Sequence, residues 1–179
     1  MRRETFIRGA ITVITLLLLP LSASAQNAVG IGGRVSATAA FSVTTTAPDD
    51  FDDTTSLLLS GMAAYTTENA RFEVGGGLTL FGVFSSVDAT AWVLSAQGRV
   101  NSNALGPEEN ILLYLGGVVG AAFVEFDDIN DEIGVFGPKA GVEFYMSPNT
   151  AIQIEDVLLG DTEGGVTNNL TIGFKLLFQ

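Results

Sequence analysis

The sequence contains no cysteine and no histidine. Without cysteine no disulfide framework can stabilise the fold. Without histidine the commonest general base and metal ligand is missing, and histidine-dependent hydrolytic mechanisms are excluded by composition. Basic residues are scarce, 8 against 20 acidic ones, for a formal net charge of −12. Such a balance repels nucleic-acid phosphate. Charged residues of both signs make up only 16% of the chain, too few for an ordinary helical bundle. Beyond the N-terminal region no apolar run is long enough for a spanning helix, so a membrane role would have to be carried by strands. What is abundant points the same way, with 21 glycines, 12 phenylalanines and many valines and threonines.

The N-terminus carries Arg2, Arg3 and Arg8, then an apolar run around Leu16–Leu19, then Ser22-Ala23-Ser24-Ala25. A positive start, a short apolar core and an Ala-x-Ala ending define a secretory signal peptide over residues 1–25, cleaved after Ala25. Removing it takes away three arginines and one glutamate, so the exported domain, 26–179, is more acidic still.

The exported chain alternates at period 2, the signature of strands with one apolar face. The spacing predicts eight strands: Val29–Thr44, Ser56–Thr66, Arg71–Phe84, Ala89–Asn101, Ile111–Phe126, Ile133–Met146, Thr150–Leu159 and Asn169–Gln179. Several exceed the roughly 5–6 residues of ordinary strands and suit the about 9–11 tilted residues that cross a bilayer. In the fifth strand Leu112, Tyr114, Val118, Val124 and Phe126 are placed outward and Glu125 inward. Its second face is also apolar, so its phase is the least defined. Pro138 cannot donate to a ladder, and a bulge is expected there. Short turns (67–70, 102–110, 147–149) alternate with loops that carry most of the acid, as an up-and-down meander requires.

An eight-stranded barrel can enclose an apolar core or turn its apolar face to lipid. The charges favour lipid. All five basic residues of the exported chain, Arg34, Arg71, Arg99, Lys139 and Lys175, share the face opposite the large apolar side chains, as do Glu73, Glu125, Glu143 and Glu155. The rest of that face is mostly Gly, Ser, Thr and Ala, unlike a solvated surface. Aromatics lie toward strand ends on the apolar face (Tyr65, Phe72, Phe84, Trp92, Tyr114, Phe126, Phe178), as in interfacial girdles. The interior of such a barrel is just wide enough for side chains. The nine charged residues are therefore expected to fill it as an ion-pair network. Their role is structural; an ion or proton path is the sharper alternative.

The fold class reached is all-β, an eight-stranded antiparallel up-and-down transmembrane β-barrel. At this point the chain resembles the small outer-membrane β-barrels of Gram-negative bacteria, the OmpA/OmpX-like and opacity-protein-like barrels. The resemblance is strongest over Gly137–Glu155, a glycine-spaced strand, a Ser-Pro-Asn turn and a strand ending in an acid. The closing strand resembles the C-terminal insertion signal of these proteins, which usually ends in an aromatic residue; here Phe178 is followed by Gln179. The resemblance implies a monomer in the outer membrane, in contact with lipid and lipopolysaccharide and assembled by the outer-membrane machinery.

No motif for catalysis stands out, and no cofactor is expected. Asp49, Asp50, Asp52 and Asp53 form one acidic loop, and Asp127, Asp128, Asp131 and Glu132 another. They are solvated acid clusters first and weak divalent-cation ligands second; neither has EF-hand spacing. Gly75-Gly76-Gly77 precedes no helix and is no phosphate loop. The function expected is a non-enzymatic structural or surface-interaction barrel with a plugged polar lumen; the alternative is a narrow pore for small solutes or ions.

Overall fold

A computed structural model describes residues 30–46, 54–84, 89–126 and 129–178. The leader and its cleavage site, Asp49, Asp50, Asp52, Asp53, Asp127, Asp128 and Gln179 lie outside the described residues. The described residues contain no helix. Eight strands follow one another: β1 (Val35–Thr46), β2 (Thr54–Thr66), β3 (Phe72–Phe84), β4 (Ala89–Asn101), β5 (Ile111–Phe126), β6 (Ile129–Ser147), β7 (Thr150–Asp161) and β8 (Val166–Phe178). Each pairs antiparallel with its neighbours in sequence, and β8 returns to β1 to close the barrel. Closure removes both sheet edges, the condition for a strand structure to exist in hydrocarbon.

The closing seam is shorter than the other ladders. It registers from Val35↔Phe178 to Phe41↔Ile172, whereas β5 and β6 pair along the whole of β5. The first strand begins later than the periodicity predicts. Residues Gly30 and Gly33 have positive φ, 66° and 69°, a backbone only glycine adopts without strain. They turn the chain before Val35, so Ile31 tucks under the barrel instead of lying on its outer face.

The outer surface is apolar. Val119, Leu94, Val74, Phe41 and Phe136 are each more than half exposed, a face that in water would be an aggregation liability. Trp92 on β4 stacks on Phe123 of β5 with ring centroids 4.0 Å apart. Tyr65, Phe72 and Phe178 are also exposed. Tyr114 is not.

Two expectations about the strands are corrected. The phase of β5 is inverted: Leu112 and Tyr114 are 3% and 1% exposed, and Val118 lines the interior, while Val119 faces outward. Val124 pairs with Ala91 on the inner face of β4 and Glu125 pairs with Thr90 on its outer face, so Glu125 is outward and exposed. Both faces of β5 are apolar, so alternation carried no contrast there. The only charge sits near the loop end, where an outward carboxylate is close to water. The expected bulge at Pro138 is also absent. β6 keeps register with β5 through Gly117↔Pro138 and re-enters register with β7 at Lys139↔Val157. The missing N–H drops a ladder bond without requiring an extra residue. The register shift lies instead between Tyr145 and Ser147.

Candidate functional site

The lumen is filled in layers, beginning at the end where β1 starts and β8 finishes. Ile31, Ala70, Leu112, Tyr145, Ala151 and Leu177 form a buried apolar cluster that closes this end. Leu177 is the one large apolar residue on the otherwise polar face of β8, and it belongs to this cluster with Ile31. Ala70 reaches the cluster through a left-handed backbone, φ 60°, held by Asn101 Nδ2 donating 2.9 Å to its carbonyl.

Above this lid lies a ring of four charges on four strands. Arg99 Nη2 donates to Glu73 Oε2 at 3.0 Å and Glu143 Oε1 at 2.7 Å. Lys175 Nζ donates to the same two oxygens at 2.6 Å and 3.0 Å. All four side chains are 2% exposed or less. Alternating signs make the ring neutral, which is what a buried charged layer requires. Two hydroxyls join it: Thr66 donates to Glu73 at 3.0 Å and Tyr145 to Glu143 at 2.7 Å.

A second group sits one layer further in. Lys139 Nζ donates to Glu155 Oε2 at 2.7 Å and to the Gln97 side-chain carbonyl. Tyr114 Oη and Gln153 Nε2 donate to the same Glu155 oxygen at 2.9 Å and 3.2 Å. Tyr114 joins the two layers, because its ring also receives the Arg99 guanidinium at 4.1 Å from the centroid. An inward tyrosine is therefore no anomaly: its hydroxyl and its π-face are both engaged. Gly141, opposite Tyr114 in the ladder, makes the space; a Cβ there would overlap the phenol.

Of the nine charged residues singled out in the sequence, Glu73, Arg99, Lys139, Glu143, Glu155 and Lys175 come together. The other three lie outside these two groups. Arg34 is buried but meets no carboxylate among the described residues. It donates to Pro148 O at 2.7 Å, Asn149 Oδ1 at 2.6 Å and Leu177 O at 3.3 Å. It thereby ties the segment before β1 to the β6–β7 turn and the end of β8. Arg71 lies in the β2–β3 turn, half-buried, with its carbonyl accepting from Asn101 N at 2.8 Å. Glu125 is on the outer face. Parity alone cannot separate these cases, because it records the face of a residue and not its height in the barrel. Tyr114, Tyr145 and Gln153 are partners that charge counting overlooks.

Asp131 is exposed at the loop side of β6. No group of three or more carboxylates among the described residues stands close enough to hold a metal ion. Asp156 points outward and registers with Leu170, the first apolar residue of β8 after Asn168 and Asn169.

No protein-family profile matches the chain, and no curated protein matches it in sequence. Solved structures match in fold. The crystal structure of Neisserial surface protein A superposes with a TM-score of 0.58 at 16% identity, over 81% of this chain and 96% of that one. The N-terminal β-barrel domain of Pseudomonas aeruginosa OprF gives 0.56 at 15% identity, over 82% and 98%. The attachment invasion locus protein of Yersinia pestis gives 0.50 at 18%, over 82% and 99%. The chain has the fold of the small eight-stranded transmembrane barrels.

Proposed function

We propose, from a fold shared with small outer-membrane barrels, that this protein is a non-enzymatic integral outer-membrane barrel. Its role is structural or in surface interaction, and its lumen is closed on the periplasmic side. The observation that carries this reading is the neutral ring of Arg99, Glu73, Lys175 and Glu143 above the Ile31–Leu177 lid. Short turns face the periplasm in bacterial barrels of this kind, so on this reading the lid, the start of β1 and the end of β8 lie on that side. Lipid contacts the belt that includes Leu94, Val119 and Phe136. Lipopolysaccharide and divalent cations meet the acidic loop end, and the outer-membrane assembly machinery reads the closing strand. The barrel acts as a monomer.

Two measurements test this. Expression in a Gram-negative host should place the processed chain in the outer-membrane fraction, with faster gel mobility before boiling than after. The purified protein in planar bilayers should show no stable conductance. Recovery in the periplasm or cytosol would sink the location. Large, stable channels would sink the closed lumen and favour the narrow pore.

A further inference from the structure

Among the described residues, the lumen beyond the Lys139–Glu155 layer is not filled. A cavity of about 250 Å³ extends from these two residues to Asp161 and Thr167 at the loop end. Its wall is largely apolar and includes Leu58, Met62, Phe81, Val118 and Val157. A water-facing lumen has no need of such a wall, since small polar side chains serve better. An apolar chamber ending on a few convergent polar groups is the usual form of a small-molecule site.

The floor selects the charge of what enters. Lys139 is 1% exposed, and its ammonium already donates to Glu155 and Gln97. The three donors to Glu155 all converge on Oε2. Glu155 is the least buried member of the ion pairs, its side chain 13% exposed, and it lines the cavity. The accessible charge of the floor is thus a carboxylate. Asp161 adds a second acid to the lining near the mouth, and the chain as a whole carries a net charge of −12. We infer that the loop-side half of the lumen is a binding site for small amphiphilic cations, an apolar body with a protonated amine directed at Glu155. This goes beyond the closed-barrel role and does not depend on its physiological purpose.

The test uses the folded protein in neutral phosphatidylcholine nanodiscs, with benzylamine, benzyl alcohol and benzoate as probes of one body and three charges. Binding is read by chemical-shift titration against empty nanodiscs. Benzylamine should bind about tenfold more tightly than benzyl alcohol, the worth of one charge-assisted hydrogen bond, and benzoate should not bind. Glu155→Gln should bring benzylamine down to the level of the alcohol. That variant strands Lys139 and can fail to fold. Val118→Phe, which fills the cavity and leaves every charge in place, should abolish binding of both probes. Benzoate binding as tightly as benzylamine would overturn the proposal. So would no binding to the wild type, or benzylamine binding unchanged in Val118→Phe. A conducting barrel that still selects benzylamine would refute the closed lumen and leave this site standing.

Discussion

Glu143 holds two cations in the ring and receives Tyr145 besides. Removing it leaves Arg99 and Lys175 sharing one carboxylate in a buried layer. Glu143→Ala should cost about 3–5 kcal/mol, read as a fall in the urea midpoint for folding into lipid vesicles. The double variant Glu143→Met with Lys175→Met removes one charge of each sign and should recover most of that loss, because apolar replacements of buried pairs are often neutral. If the double variant is as unstable as the single, the ring contributes something other than charge balance. Gly141 acts through space rather than charge. Gly141→Ala forces the Tyr114 phenol off Glu155 and should cost about 1–3 kcal/mol, the usual penalty for overpacking, in the same assay.

β5 is the strand whose orientation periodicity could not decide. Its two faces are nearly equal in hydrophobicity because one meets lipid and the other lines the lid and the loop-side cavity. The structure places Val119 outward and Val118 inward. Since the chain has no native cysteine, single spin-labelled cysteines at these positions test the phase directly. The label at 119 should be accessible to lipid-dissolved oxygen, and the label at 118 should not. The reverse would return β5 to the opposite phase. The seven other strands were legible because each sets large apolar side chains against small or charged ones. β1 is the partial exception: alternation continues back through Ile31, but Gly30 and Gly33 turn the chain before it can pair.

Closure is a property of the whole molecule, and Arg34 is its clamp. It bonds the β6–β7 turn and the end of β8 at the shortest ladder of the barrel. Arg34→Met keeps the stem and removes the donors. The loss should be about 1.5–3 kcal/mol, the range for a hydrogen bond to a charged group. Hydrogen exchange should accelerate first at amides of β1 and β8. Uniform acceleration across all strands would show that the seam is not the weakest ladder. The same closure explains why the lumen can be charged at all: a ring linking β3, β4, β6 and β8 can form only when the sheet has curled on itself.

Composition and period-2 alternation by themselves determined the strand count, the up-and-down order, the lipid-facing side of seven strands and the choice of charged residues to watch. Each of these follows from local chemistry, since a strand needs only its own residues to define two faces. The tertiary structure alone decided which charges meet. Lys175 and Glu73 lie 102 residues apart and on strands that are not neighbours, and only register and curvature bring them within 2.6 Å. It likewise decided that Arg34 clamps a seam, that Glu125 faces outward and that Tyr114 faces in. Those outcomes depend on height along the barrel axis and on what stands across the lumen, neither of which is written in the alternation of a single strand.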